Sequence, residues 1–171
     1  MGEREVGEVW DKVCREIARE IPPTNVAVVG IRTRGAYLGR RLRDFLSQRY
    51  RKDVPLGILD ITLYRDDFTQ IDEQPVLRST DIPFDVTGKK IVLVDDVIYT
   101  GRTVRAALDE LIDFGRPAFI KLAVLIDRGG RELPIQPDFV GKFLEVEPEE
   151  WVEVKLREVD EEEGAYVMRR K

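Results

Sequence analysis

The sequence predicts an α/β fold: a mostly parallel sheet flanked by helices, with antiparallel strands near the C-terminal end. Three observations lead there. The short branched runs Val26-Ala27-Val28-Val29 and Ile91-Val92-Leu93-Val94 have the length and composition of buried strands. Segments with apolar residues every three or four positions alternate with them. Near the end, Val152, Val154 and Leu156 alternate with Glu153, Lys155 and Arg157, the period-two pattern of a strand with one wet face.

The elements follow in order. Val6, Val9, Trp10, Val13, Cys14 and Ile17 form the inner stripe of a first helix, which Pro22-Pro23 stops. The strand 26–29 closes at Gly30. A second helix is expected over about 36–50, with Leu38, Leu42, Phe45 and Leu46 inward and most of its arginines outward. Residues 56–64 predict another strand. The polar stretch 65–81 reads as a long loop of the functional kind. Gly88 turns the chain into the strand beginning at Ile91, and a Thr-Gly turn then opens a helix carrying Val104, Ala107, Leu108, Leu111 and Ile112. That helix ends near Gly115 and Pro117, before a strand over 119–126. Residues 151–159 form a strand, with 165–168 as its partner. A single domain over 1–171 suits this length.

Composition removes several chemistries. The chain has no histidine, which excludes Ser-His-Asp and Cys-His catalysis and His-ligated zinc. Cys14 is the only cysteine, so no internal disulfide or cysteine metal cage forms. No apolar run approaches the ~20 residues of a membrane span, and Met1-Gly2-Glu3-Arg4-Glu5 is too acidic for a targeting peptide. A cytoplasmic protein with no membrane partner is expected. The net charge of −5 is unevenly spread. Arg32, Arg34, Arg40, Arg41, Arg43, Arg49, Arg51 and Lys52 face only Asp44, whereas 145–163 is acidic and ends in Asp160-Glu161-Glu162-Glu163. Composition alone reads these as a solvated helix face and an acidic end.

The chemistry concentrates in Ile91-Val92-Leu93-Val94-Asp95-Asp96-Val97-Ile98-Tyr99-Thr100-Gly101-Arg102-Thr103. A buried strand carries two adjacent carboxylates to its C-terminal end, where open α/β sheets bind ligands. The turn that follows opens a helix, whose free N–H groups and positive dipole end attract an anion. Gly101 permits close approach, and Thr100 and Thr103 add hydroxyls. The turn therefore fits a monophosphate. Asp95 and Asp96 can take sugar hydroxyls or hold a hydrated Mg²⁺ through its water shell, with no direct metal ligation. A phosphorylated sugar is the expected ligand. Neither a Walker A run nor a G-x-G-x-x-G fingerprint is present.

These thirteen residues resemble the phosphoribosyl diphosphate (PRPP) signature of type I phosphoribosyltransferases. The form Asp-Asp-Val-Ile-Tyr-Thr-Gly-Arg-Thr is similar to that of the pyrimidine operon attenuator/uracil phosphoribosyltransferase family. Val29-Gly30-Ile31-Arg32-Thr33-Arg34-Gly35 resembles that family's pyrophosphate loop, and Asp60-Ile61-Thr62-Leu63-Tyr64-Arg65-Asp66-Asp67 the entry to its mobile loop. Phe114-Gly115-Arg116-Pro117 and Arg131-Glu132-Leu133-Pro134-Ile135 also match, so the likeness covers about residues 30–142.

The resemblance implies a type I phosphoribosyltransferase fold with a small hood. It implies transfer of ribose 5-phosphate from PRPP to uracil, giving UMP and diphosphate, with Mg²⁺ bound alongside PRPP. Thr33, Arg34 and Gly35 would hold the diphosphate, and residues 100–103 the 5-phosphate. Asp95 and Asp96 would be catalytic, with Arg65 adding charge at the leaving group and 65–81 closing over the site. Asp127, Arg128 and Val140, beside Phe139, would meet the base. Tyr99 stands where hypoxanthine-guanine enzymes usually carry an aspartate for purine N7, which favours uracil. A homo-oligomer is expected.

The family also binds pyrimidine-operon mRNA when uridine nucleotides are abundant, and there this chain departs. Gly130 and Gln136 replace the usual histidine and final arginine of Arg-Gly-His-Arg-Glu-Leu-Pro-Ile-Arg, and Phe143-Leu144-Glu145-Val146 replaces Asn-x-Pro-Thr. Arg15, Arg19, Arg40, Arg41, Arg43 and Lys142 remain as candidate RNA contacts. RNA affinity depends on phosphate neutralisation, so weaker binding is expected. Three readings stay open: a uracil phosphoribosyltransferase, with or without regulation; a nucleotide-sensing RNA regulator with little turnover; and a transferase for another base.

Overall fold

Five short strands build the central sheet: β1 (Val26–Ile31), β2 (Leu56–Leu59), β3 (Lys90–Ile98), β4 (Phe119–Asp127) and β5 (Phe139–Phe143). They run parallel in the order β2-β1-β3-β4-β5. The helices are α1 (Glu3–Glu20), α2 (Arg34–Tyr50) and α3 (Arg102–Asp113). An antiparallel hairpin, β6 (Glu150–Lys155) and β7 (Gly164–Arg169), encloses the short turn α4 (Arg157–Asp160) and forms its own two-stranded sheet. This computed structural model describes residues 1–61 and 80–169.

Alternation along the strands feeds two cores, because successive side chains point to opposite faces. Val26, Val28, Val92, Val94, Ala123 and Leu125 face α1 and α2, where Trp10, Ile17, Leu38, Leu42 and Leu46 bury. Ala27, Val29, Ile91, Leu93, Leu122 and Val124 face α3 through Val104, Ala107 and Leu111. The hairpin adds Val154, Leu156 and Ala165 to the first core. Met1 and Ala165 exchange backbone hydrogen bonds, so the first residues dock on β7. Among the described residues no helix is long and apolar enough to cross a membrane.

The structure differs from the expected elements in four places. β3 continues through both aspartates to Ile98, because Asp95, Val97 and Ile98 keep register with Val124, Ile126 and Asp127 of β4. β5 has no apolar periodicity to announce it: it is half-buried, and Gly141 is required where α1 crosses. A Cβ there would lie 2.5 Å from the Leu125 carbonyl oxygen and 2.6 Å from Val9 Cγ1. β2 ends at Leu59, and residues 62–64 of the expected strand lie outside the described residues. Finally, β6 stops at Lys155 and the chain turns into α4.

The two charge-biased segments meet each other, which corrects the expectation of a solvated face and a free acidic end. Arg41 reaches Glu158 with Nε and Nη2 (both 2.8 Å) and Glu163 with Nη1 and Nη2 (2.8 and 2.9 Å). Glu163 is 7% exposed and Arg41 27%. Arg41 is therefore a structural clamp and drops out of the RNA candidates. The Glu163 hydrogen bonds, set against the opposing cost of burial, hold its guanidinium above its usual value. The Arg41 hydrogen bonds hold the Glu158 carboxyl below its ordinary 4.5.

Arg41→Ala leaves Glu163 buried without this partner. Arg41 is partly exposed, so we expect a loss of about 2 kcal/mol at pH 7 in denaturant unfolding, below the 3–5 of a fully buried pair. A carboxyl with a lowered folded-state pKa stabilises above its unfolded value, and that contribution is lost as pH falls through the lowered one. The gap between wild type and variant should therefore narrow below pH 4.5. A gap that widens on acidification would contradict the clamp.

Candidate active site at the switch point of the sheet

Chain order reverses between β1 and β3: the chain moves from β1 outward to β2, then returns to place β3 on the other side of β1. Such switch points open a crevice at the carboxyl ends of the strands. Here the crevice receives the loop leaving β1 and the two acids of β3.

Three glycines set that loop. A Cβ on Gly30 would lie 2.6 Å from both Ala36 Cα and the Gly35 carbonyl oxygen. One on Gly35 would lie 2.6 Å from the Val94 oxygen, 3.0 Å from Asp95 Cα and 3.2 Å from Asp95 Oδ1. One on Gly39 would sit 3.3 Å from Gly30 Cα. Without side chains at these positions, the first turn of α2 lies directly against β1 and the end of β3. The Arg32–Thr33 peptide is cis. The N-terminus of α2 has no side-chain cap and no acidic residue in its first turn, so its N–H groups and positive end face the crevice uncompensated by its own sequence.

Asp95 is 1% exposed, and its Oδ1 accepts the Asp96 N–H at 3.0 Å. Asp96, on the opposite face of the strand, is half-buried. Beyond β3, Thr100 Oγ1 accepts the Arg102 N–H at 3.3 Å, and Gly101 (φ +91°) starts α3 with no side-chain cap. A positive φ is the conformation glycine adopts without strain. The loop after β4 buttresses this turn: Glu132 and Leu133 donate their N–H groups to the Thr100 carbonyl (3.0 and 3.2 Å), and Arg102 Nε bonds Glu132 at 2.7 Å.

Arg131 organises that buttress, a role the sequence reading did not single out. Its guanidinium bonds the carbonyls of Ile135 (2.9 Å) and Tyr99 (2.8 Å), the Asp127 carboxylate (2.5 Å) and Gln136 Oε1 (3.2 Å). Asp127 Oδ1 accepts the Gly129 N–H at 2.9 Å, so both oxygens of this 6% exposed carboxylate serve the loop. Arg128 lies 3.8 Å over the centre of the Tyr99 ring and donates to the Glu150 carbonyl at 2.9 Å. Val140 is half-buried on β5, packed against the α3-side core.

The remaining expected residues separate. Gly35 lies against Val94 and Asp95, and Thr33 precedes α2 as its N-cap residue, but Arg34 turns its guanidinium to the tail: Nε and Nη2 bond Asp160 at 3.1 and 2.6 Å. Burial works against the Arg34 charge, yet Asp160 outweighs it and holds the guanidinium above its usual value. Asp160 is raised by burial but pulled further down by Arg34 and the Leu156 N–H, and ends below its ordinary 3.8. Arg65 and 65–79 of the expected closing loop lie outside the described residues. The basic candidates do not form one patch. Arg40 and Arg43 border a groove beside β2, at one sheet edge, with Arg43 paired to Asp44. Lys142 lies on β5, the opposite edge, paired to Glu5 at 2.7 Å. Arg15 and Arg19 are exposed on α1.

This combination of switch point, glycine-set loop, acidic pair and Thr100-Gly101 turn is that of a type I phosphoribosyltransferase. The phosphoribosyl transferase domain family matches residues 4–157. The chain is 59% identical over 152 residues to the bifunctional protein PyrR of Thermus aquaticus, covering 86% of this chain and 84% of that one. It is 58% identical over 175 residues to the PyrR of Pelotomaculum thermopropionicum, covering 96% and 97%. The chain belongs to the PyrR family of phosphoribosyltransferases. Among solved structures, the hypoxanthine phosphoribosyltransferase of Trypanosoma cruzi superposes with a TM-score of 0.71 at 19% identity, over 98% of this chain and 92% of that one. A purine phosphoribosyltransferase from Pyrococcus horikoshii gives 0.63 at 23% identity, over 85% of each. At those identities the likeness is one of fold.

Gly35→Ala tests the close approach. The added methyl meets backbone atoms of Val94 and Asp95 that cannot rotate away, so the loop must withdraw. We expect a folded protein by circular dichroism whose calorimetric affinity for magnesium diphosphate falls at least about tenfold, since small misplacements of binding groups are costly. Wild-type affinity would show that contact with β3 does not set the loop.

Proposed function

We propose that this chain transfers ribose 5-phosphate from PRPP to uracil, releasing diphosphate and forming UMP. The observation that carries the reading is Asp95 and Asp96 in the C-terminal half of β3, flanked by a glycine-set loop on one side and the Thr100-Gly101 turn on the other. The C1–diphosphate bond of PRPP breaks as the ring nitrogen of uracil bonds C1, and the reacting sugar carbon becomes oxocarbenium-like. The protein then contributes position and charge. The backbone of Thr33 and Gly35, with the first turn of α2, receives the diphosphate. Asp95 and Asp96 take the ribose hydroxyls, and residues 100–103 take the 5-phosphate. Arg65 acts at the leaving group. The loop holding Asp127 and Arg128, with Val140, meets the base.

Mg²⁺, bound with PRPP, would neutralise diphosphate charge. Among the described residues no cluster of three acidic or cysteine side chains could cage a metal. Asp95 and Asp96 would hold the water shell of an ion carried in with the diphosphate. We place the protein in the cytoplasm as a homo-oligomer.

Tyr99, 43% exposed with Arg128 stacked on it, offers a ring where a purine enzyme needs a carboxylate. Uracil should be used and guanine refused in assays with PRPP and Mg²⁺, and Asp96→Asn should reduce turnover about a hundredfold or more, with the fold retained. Efficient guanine conversion, or wild-type kinetics in Asp96→Asn, would overturn these assignments.

A second role, UMP-dependent binding of pyrimidine-operon mRNA, is favoured by relatedness to proteins named bifunctional. The basic candidates are divided between opposite sheet edges, and Lys142 and Arg43 carry acidic partners. Each single-strand phosphate contact contributes about 0.7 to the slope of log affinity against log salt. With Arg15, Arg19 and Lys142 as the contacts on one side, a slope near −2 is expected on a pyrimidine-leader hairpin with UMP. A slope beyond about −5 would require a basic surface this arrangement does not provide.

A further inference from the structure

The acidic tail reaches the candidate site through one side chain. Asp160 closes α4, and its carboxylate is held from two sides. Oδ2 accepts the Leu156 N–H at 2.8 Å, and the two oxygens together accept Nη2 and Nε of Arg34 at 2.6 and 3.1 Å. Asp160 is 15% exposed and Arg34 30%. The turn bearing Asp160 is fixed in turn: Leu156 is wholly buried, and Arg41 grips Glu158 and Glu163 on either side of it. A continuous set of contacts therefore runs from the core, through α4, to the first residue of α2.

The start of α2 carries no side-chain cap. Thr33 makes no side-chain capping bond, and the first turn of α2 contains no acidic residue. The Ala36 N–H donates to the Thr33 carbonyl at 3.2 Å. A forked arginine–carboxylate pair fixes orientation as well as distance. Asp160 also places, near the positive end of α2, the anionic group that the helix's own sequence omits. Because it is paired with Arg34, it does so without presenting a bare negative charge to an incoming diphosphate.

We propose that Asp160 is a positioning residue of the transfer reaction: through Arg34 it holds the loop of Thr33 and Gly35 in the geometry that receives the diphosphate of PRPP. The proposal rests on the reading of that loop as the diphosphate site. A residue held from a different sheet makes the hairpin part of the active-site scaffold, in addition to its packing role.

The test compares three variants, at two positions of the same turn, in the full-length protein. Asp160→Asn removes the charge that Arg34 grips, and Glu158→Gln loosens Arg41 without touching Arg34. Calorimetric titration with magnesium diphosphate and with PRPP reads binding without turnover, and steady-state kinetics with uracil read the rest. Asp160→Asn should weaken both ligands about tenfold, less than the ~100-fold of a 1 Å misplacement at a reacting centre. It should raise KM for PRPP while kcat stays within about twofold, and Asp160→Glu should recover most of the affinity. Glu158→Gln should lower the unfolding midpoint yet bind within about twofold of wild type, because Glu163 still holds Arg41 and the Asp160–Arg34 pair is untouched. Unchanged or tighter binding by Asp160→Asn, or equal weakening by Glu158→Gln, would overturn the positioning role. Failure of the wild-type protein to bind either ligand would overturn the reading of the loop, and the proposal with it.

Discussion

Close backbone approach at Gly30, Gly35 and Gly39 is the constraint on which the arrangement depends. A parallel sheet delivers strand ends to one edge, but it does not decide how near the following loop lies to the neighbouring strand. Here the missing Cβ atoms do. With the α2 turn pressed onto β1 and the end of β3, the loop leaving β1 and the acids leaving β3 share one crevice at the switch point. A single methyl at Gly35 would collide with Val94 and Asp95 backbone atoms, so loop and acids cannot move independently.

Electrostatics supplies the second tie. Charge counts along the chain suggest two solvated regions of opposite sign, but the fold brings them together over more than a hundred residues of sequence. Arg34 and Arg41 lie two turns apart on α2, and their partners Glu158, Asp160 and Glu163 come from one short segment. Exposed pairs contribute little, but these are partly buried, forked and networked, the conditions under which ion pairs set geometry.

Much of this was legible in the sequence. Buried strands, the helix stripes and the place of the Thr100-Gly101 turn follow from periodicity and turn chemistry, and the expected bounds of β4 and α2 lie within two residues of the observed ones. β5 was not, because a five-residue strand containing Gly141 and Lys142 carries no period. The acidic pair and its turn were legible because their chemistry is local. The partners of Arg34 were not, because no local pattern relates position 34 to position 160. Arg131 lies between these cases. Asp127 stands four residues before it, the spacing of a local pair, but the carbonyls Arg131 bonds on Tyr99 and Ile135 emerge only from the folded loop.

The departures from the family pattern also become one structural unit. Gly129 and Gly130 both have positive φ, +68° and +72°. A side chain at 130 would run into the Tyr99 ring, so the histidine expected there cannot coexist with this ring position. Gln136 accepts a hydrogen bond from Arg131, which an arginine, having no acceptor, cannot do. Phe143 closes the far side, its ring 3.7 Å from where a Gly129 Cβ would be. Glycine under Tyr99, an acceptor beside Arg131 and an aromatic ring against Gly129 are mutually consistent. Restoring the usual histidine or arginine singly would disturb the buttress of the Thr100-Gly101 turn before it added a basic contact. On the proposed reading, RNA affinity and catalytic geometry would be coupled through this loop, and a substitution at 130 or 136 would have to be read for both.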